Sequence, residues 1–297
     1  MAKPFYHGGQ AVIEGVMMRG KESVAISVRG QNGKLTVTRW SLATIYKGRL
    51  KETPLVRGII VLIESLVLGT QALLHSAQVA SAQEEAKIPA GLLWGTVVGS
   101  IAFAIALFFI APLFATRFLV DPHASALTSN IIEGLIRIGI FVAYLKLIGL
   151  IPDIKRFFAY HGAEHKVINA YEAGSPLEVA SVKNYSTAHA RCGTSFIFIV
   201  LVIAIFVFAL LGRPALWLTI LYRIVLIPVI AAFSYEIMKF GASRIKNNVI
   251  RILLAPGLML QAMTTREPDD SQLETAISAL SEVIEVDKVA DSGLEHD

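Results

Sequence analysis

A single cysteine, Cys192, in 297 residues excludes an internal disulfide framework. Charge is scarce too: Asp, Glu, Lys and Arg make up 17% of the chain against 54% hydrophobic residues, too few to cover the surface of a water-soluble fold. The stretch Met1-Ala-Lys-Pro-Phe-Tyr-His-Gly-Gly9 lacks the apolar core of a secretory signal, so insertion into a membrane is expected to rest on internal segments. No internal repeat is present. No basic run is interleaved with aromatic residues, so nucleic acid is not an expected partner.

What the chain has is apolar length. Four runs, 91–116, 131–151, 196–212 and 214–233, approach the roughly 20 residues that a spanning helix needs. The second carries Glu133, Arg137 and Lys146; Glu133 and Arg137 are one helical turn apart, and pairing and snorkelling toward one end are expected of them. The fourth carries Arg223. A fifth apolar stretch, 54–76, is interrupted by Arg57, Glu64, Gln71 and His75, and reads as an interfacial or re-entrant helix. The expected class is a predominantly α-helical integral membrane protein, with about four transmembrane helices, that interfacial or re-entrant helix and a small N-terminal β-hairpin region.

Basic residues set the orientation. Residues 1–57 hold ten Lys/Arg, whereas the loop after the first run holds only Arg117 and the turn between the last two runs only Arg213. The loop 152–195 holds Lys155, Arg156, Lys166, Lys183 and Arg191. Cytoplasmic segments are enriched in Lys and Arg, so a multi-pass inner-membrane protein with both termini and the loop 152–195 in the cytoplasm is expected. A fifth span at 54–76 would break this pattern.

Six segments follow. Residues 1–54 form a cytoplasmic β-rich region: 24–30 and 34–40 alternate apolar with polar residues around the Asn32-Gly33 pair of a tight hairpin. Residues 55–90 are the interfacial or re-entrant segment, and 91–233 the four-helix membrane domain containing the loop 152–195. Residues 234–265 are a membrane-proximal, basic, amphipathic stretch, helical and broken near Pro256-Gly257. Residues 266–297 are an acidic cytoplasmic helix and tail, with two basic against ten acidic residues where 1–265 hold 25 against 13. The helix starts at Pro268-Asp269-Asp270 and shows one apolar face of Leu273, Ile277, Leu280 and Ile284; the last ten residues are expected to be disordered.

The loop 152–195 is too polar for a connector. Its first half, 154–173, reads as a helix ended by Gly174-Ser-Pro176. His161 and His165, four apart, share one face with about 5–6 Å between Cβ atoms, a spacing that suits one metal ion. With Glu164 they form His-x-x-Glu-His, the pattern in which the carboxylate is the general base of a metallohydrolase. Alone the pattern is weak, since histidines and glutamates also decorate solvated helices. His189-Ala-Arg191-Cys192 adds a half-site, and Glu172, seven residues after His165, returns to the same helix face. The candidate metal ligands are thus His161, His165, His189, Cys192 and Glu172, with Glu164 the candidate catalytic base. A thiolate with imidazoles makes zinc the first choice of divalent cofactor, iron or another transition metal the next. Four N/S ligands would close a structural site and reduce Glu164 to an orienting role; three would leave a catalytic position open.

The segment Gly8-Gly-Gln-Ala-Val-Ile-Glu14-Gly-Val-Met-Met-Arg19-Gly20 has four glycines in thirteen residues and reads as a tight structural turn, with Glu14 and Arg19 in reach of the membrane-proximal loop. It lacks the Gly-Lys-Ser/Thr ending of a phosphate loop.

This segment, together with His161-Gly-Ala-Glu-His-Lys166, Arg191-Cys-Gly-Thr-Ser195 and Thr264-Thr-Arg-Glu-Pro-Asp-Asp270, resembles the bacterial YqhQ family, domain of unknown function 1385, over the chain to about residue 285. The resemblance implies a metal-dependent enzyme of the membrane. Two functions are therefore expected to compete. One is a hydrolase acting at the cytoplasmic face on a peptide or lipid-linked substrate. The other is a non-catalytic membrane factor with a structural metal site, docking partner proteins in membrane-protein biogenesis or quality control. A transporter is the weaker third, because the spans are expected to lack a buried charged pathway and show no repeat symmetry.

Overall fold

Two hairpins build the N-terminal sheet of the computed structural model, which describes residues 7–46, 53–81, 89–121, 123–212 and 215–293. Strand β1 (Gly8–Val12) pairs antiparallel with β2 (Gly15–Arg19), β2 with β3 (Ser23–Arg29), and β3 with β4 (Leu35–Ser41), in the order β1-β2-β3-β4. The Asn32-Gly33 turn forms as its chemistry demands: Gly33 takes φ 76°, and the Asn32 side chain accepts from the Lys34 amide at 2.9 Å. The glycine-rich segment is more than a turn. It is two paired strands joined at Ile13-Glu14, with Glu14 held at φ 53°.

Ten helices complete the described chain: α1 (Val56–Ala80), α2 (Ala90–Ile105), α3 (Ala111–Leu119), α4 (Ala126–Ile148), α5 (Pro152–Glu172), the short α6 (Val179–Val182), α7 (Gly193–Leu210), α8 (Leu216–Ala242), α9 (Asn248–Thr264) and α10 (Asp270–Gly293). A π-helical turn, Ala106–Ile110, joins α2 to α3 without a break.

The strand alternation sorts side chains to two covered faces. Val12, Met17, Val24, Ile26 and Val28 pack with Leu68, Ala72, Leu73 and Val79 of α1. Ala11, Val16, Met18 and Ala25 pack with Tyr160, Ala163 and Val167 of α5 and with Leu273, Leu280 and Val283 of α10. Fully burying each of these large apolar residues stabilises the docked layer by roughly 1.5–3 kcal/mol. Asp287 pins the far end of α10: its carboxylate accepts from the Lys21 and Glu22 amides and bonds His7 Nε2 at 3.1 Å.

Among the described residues four helices are long and apolar enough to cross a membrane: Val56–Ala80, Trp94–Leu119, Gly193–Leu210 and Trp217–Ala242. The count agrees with the expectation but the membership differs. Residues 56–76 of the stretch expected not to cross lie in an unbroken 25-residue helix that is long and apolar enough to do so. Its charges are hidden by partners: Arg57 pairs with Glu236 of α8, and Glu64 with Arg19 of β2. Helix α4, expected to span alone, qualifies only together with α5, from which it is bent by 103°.

Three other expectations change. Glu133 and Arg137 do not snorkel; at 5% and 4% exposure they are buried, and Glu133 Oε1 accepts from both Arg137 and Arg223 at 2.6 Å. The break near Pro256-Gly257 is absent: α9 runs through both residues, and the chain turns instead at 243–247, where the Asn247 side chain caps α9. The tail expected to be disordered from residue 288 is helical to Gly293, and 294–297 lie outside the described residues, as does Arg213. Helix α5 ends as expected, with Gly174 at φ 72° and the Ser175 amide returning to the Ala170 carbonyl.

Candidate metal centre

Helix α5 lies against the sheet and α10, outside the four apolar helices, and presents His161 and His165 on one face. Cys192 is the N-cap of α7, its sulfur accepting from the Thr194 amide at 3.4 Å. Ligand atoms of His161, His165 and Cys192 all lie within 4.8 Å of one another, and Cys192 Sγ is 3.3 Å from His161 Nε2. The donors of a tetrahedral zinc site with two N and one S stand about 3.4–3.7 Å apart.

The imidazoles are oriented from behind. Nδ1 of His161 faces the Thr264 carbonyl at 2.8 Å, and Nδ1 of His165 the Thr187 carbonyl at 2.6 Å. A carbonyl only accepts, so Nδ1 carries the hydrogen in both rings and Nε2 is left as the ligand atom. The backbone reaches His161 because residue 162 is glycine. A methyl there would overlap the Arg266 carbonyl, and the Arg266 amide bonds Phe158 O at 2.9 Å.

Charge in the cluster is polarised. Burial pulls the His161 imidazolium down, but the Cys192 sulfur on Nε2, and Glu164 behind it, push it up to about 9. Burial raises the Cys192 thiol, yet hydrogen bonds and charge from His161 and His165 outweigh this and hold it well below its usual range. Glu164, 5% exposed, has its carboxyl pushed up by burial against the opposing pull of His165 and His161. Strand β1 makes room for it: a Cβ on Gly9 would come within 2.9 Å of Glu164 Cγ.

The other two candidates stand aside. His189 is buried next to His165, with ring centroids 5.7 Å apart, but its Nε2 faces Glu172 at 3.6 Å and it falls outside the convergent group. Glu172 is taken by His189 and by a close ion pair with Arg191; despite the cost of burial, both partners lower its pKa. The arrangement therefore brings together His161, His165 and Cys192 beside Glu164, and sets His189-Glu172-Arg191 next to them as a chain of partners. Glu14 reaches the same helix, pairing with Arg156 at 2.6 Å, while Arg19 goes to α1 instead.

Sequence reasoning missed the orienting groups. Thr187 and Thr264 act through backbone carbonyls, which leave no mark in side-chain chemistry. Gln261 brackets His189, accepting from its amide at 3.1 Å and donating to its carbonyl at 3.0 Å. Its signal was available: a lone amide amid Leu258-Met-Leu260 and Ala262-Met263.

The family described as "Protein of unknown function (DUF1385)" matches residues 53–286. The chain is 34% identical over 305 aligned positions to "Uncharacterized protein YqhQ" of Bacillus subtilis (strain 168), covering 97% of this chain and 95% of that one. No solved structure matches.

Proposed function

Starting from the chain's membership of the DUF1385 family, which its match over residues 53–286 establishes, we propose that it is a metal-dependent hydrolase at the cytoplasmic face of the bacterial inner membrane. His161, His165 and Cys192 would hold a divalent ion, zinc by the softness of the donors, and Glu164 would hold and move the proton. The observation that carries the reading is a three-donor set with both imidazoles already oriented, His189 turned to Glu172, and a buried carboxyl of raised pKa alongside. Three protein donors are the number found in catalytic zinc sites; four close a structural one. Bound zinc would supply a Lewis acid that acidifies water and polarises a carbonyl or phosphoryl group. Burial raises the Glu164 carboxyl above its ordinary value, the direction that general acid–base work asks of a carboxylate. The cluster adjoins the first turn of α7, a membrane-crossing candidate, which favours a peptide or lipid-linked substrate.

The distribution of Lys and Arg supports cytoplasmic placement of the sheet and α5. In a Cys192→Ser background, Lys34→Cys on the β3–β4 turn should react with an impermeant maleimide only after cells are opened; labelling of intact cells would reverse the orientation.

One observation favours a structural site instead. His165 and Cys192 are 1% and 4% exposed, and the cluster ties α5, α7 and the C-terminal end of α9 together. On that reading the sheet and acidic α10 dock partner proteins. Glu164→Gln separates the two. Metal content by elemental analysis should match wild type in both cases. Loss of complementation in a deletion strain supports hydrolysis, and full complementation leaves the structural reading. Metal content unchanged by a His161→Ala/His165→Ala double substitution would remove both.

A further inference from the structure

At the opposite end of α7 from Cys192 lies a second charged cluster that the metal centre does not use. Glu133 of α4 shares one carboxylate oxygen, Oε1, between Arg137 of the same helix and Arg223 of α8, each at 2.6 Å. Arg137 also donates from Nε to the Phe108 carbonyl at 2.9 Å, an oxygen in the π-helical turn Ala106–Ile110. A π turn shifts the bonding partner of the carbonyls in it, which makes one accessible to a side chain. The side chains of Glu133, Arg137 and Arg223 are 7%, 5% and 11% exposed. Helices α2, α3 and α7 carry no carboxylate, and the one acid of α8, Glu236, is paired with Arg57. Two guanidiniums therefore face one carboxylate, leaving one unit of positive charge inside the helical bundle.

An unbalanced charge at such depth is costly and marks a site by default. Here it borders an open cleft. Asn130, Phe208, Leu211, Gly212, Thr219, Tyr222 and Arg223 line it, around a cavity of about 20 Å³ that opens to the surface. The cleft runs from Gly212, just past the end of α7, to Arg223, seven residues into α8 and so about 10 Å along that helix. The Asn130 amide is committed to the Phe208 and Gly212 carbonyls, which fixes the wall. The Tyr222 hydroxyl has no hydrogen-bond partner among the described residues, so it remains available as a donor beside Arg223. Phe208 supplies an aromatic face 5.5 Å from the Arg223 guanidinium.

We propose that this cleft binds an oxyanion, the phosphate of an anionic phospholipid, through Arg223 and Tyr222. The charge of the phosphate would neutralise the excess guanidinium. Its acyl chains have an apolar way out over the exposed Leu210, Trp217, Ile220 and Leu221 at the cleft rim. Inorganic phosphate offers the same oxygens without the chains, so the test compares the two sources.

The full-length protein is reconstituted in nanodiscs of phosphatidylcholine alone or with phosphatidylglycerol, and lipid retained after transfer to detergent is counted by native mass spectrometry. Wild type should retain phosphatidylglycerol over phosphatidylcholine, and Arg223→Gln should weaken retention by roughly tenfold or more, the loss of one hydrogen bond to a charged group. Arg223→Gln leaves Glu133 paired with Arg137, so the bundle keeps a neutral pair; Tyr222→Phe, which leaves the ion cluster intact, should also weaken retention. A second arm titrates inorganic phosphate and reads thermal stability. A wild-type shift that Arg223→Gln abolishes, with no lipid retained, keeps the oxyanion site and assigns it to free phosphate. Equal retention of both lipids, or retention and phosphate response unchanged in both variants, overturns the proposal.

Discussion

Cys192 Sγ sits 3.3 Å from His161 Nε2, across 31 positions of sequence, at the N-terminus of α7. The proximity makes a thiolate–imidazolium pair the stable form of the metal-free cluster: the imidazole is raised to about 9 and the thiol falls well below 9.0. Metal binding exchanges the proton on Nε2 for the ion.

That pair dictates how the metal-free protein responds to pH. The raised His161 contributes stability fully present below its unfolded value of 6.5 and lost as pH rises through about 9. The depressed Cys192 contributes stability present above its unfolded value of 9.0 and lost as pH falls through its lower folded value. Between 6.5 and 9.0 the pair and its unfolded counterpart hold equal numbers of protons, and above about 9 the folded His161 and the unfolded Cys192 lose theirs together, so stability should be flat through this range and fall only below 6.5. The midpoint of thermal unfolding, followed against pH after chelation, should trace this plateau. Cys192→Ser removes the ion pair and should remove the thiolate's share of the acid limb. An identical pH profile for wild type and Cys192→Ser would show that the pair does not form.

Gly162 is the residue on which access of the Thr264 carbonyl to His161 depends. A Cβ there overlaps the Arg266 carbonyl, a backbone atom that cannot swing aside as a side chain would. Gly162→Ala should push the 264–267 segment off α5 and lengthen the bond from His161 Nδ1. The expected cost is about 1–3 kcal/mol of stability, with metal affinity about 10–100-fold weaker. Competition with a chromophoric zinc chelator measures the second quantity, and wild-type affinity in this variant would contradict the orienting role of the Thr264 carbonyl.

These two predictions also separate what was legible in the sequence from what was not. The helices, the Asn32-Gly33 hairpin and the His161–His165 face follow from local periodicity, and local rules gave them. The apolar face of α10 was equally readable, because Leu273, Ile277, Leu280 and Ile284 recur at helical spacing. The candidacy of residues 56–76 as a span was hidden because Arg57 and Glu64 look like charges exposed to lipid, whereas Glu236 and Arg19 pair with them from 179 and 45 positions away. The same blindness hid the carbonyl partners of the histidines. A residue's cost in a helix depends on what the rest of the chain brings to it, and that information is not local.

Asp287 tests the docking of α10. It is 5% exposed, and its two oxygens take the amides of Lys21 and Glu22 at 2.9–3.1 Å together with His7 Nε2. Asp287→Ala takes the shared acceptor from these part-buried amides, at a cost of roughly 1–3 kcal/mol where water cannot replace the carboxylate. The variant should release the C-terminal turns of α10 from the sheet, while Leu273 and Leu280 keep its first half seated. Limited proteolysis should then cut between 285 and 293 well before the rest of the chain. Resistance equal to wild type would mean that apolar packing alone holds this end.

Among the described residues the Glu133 carboxylate is the one anion that the Arg137 and Arg223 side chains share, so its removal should cost more than the removal of either partner. Glu133→Gln leaves two guanidiniums buried side by side with no counter-charge, a loss of about 3–5 kcal/mol by the usual cost of stranding a buried ion. Arg223→Gln should be milder, since the Glu133–Arg137 pair survives and stays tied to the Phe108 carbonyl. In the double variant Glu133→Gln/Arg223→Gln, one guanidinium remains with its carbonyl acceptor and the repulsion is gone. The double variant should therefore be more stable than Glu133→Gln alone, an inversion of the usual additive loss. Thermal unfolding in detergent ranks the three. If Glu133→Gln unfolds at the wild-type temperature, or the double variant is the least stable, the shared carboxylate is not what holds α4 to α8.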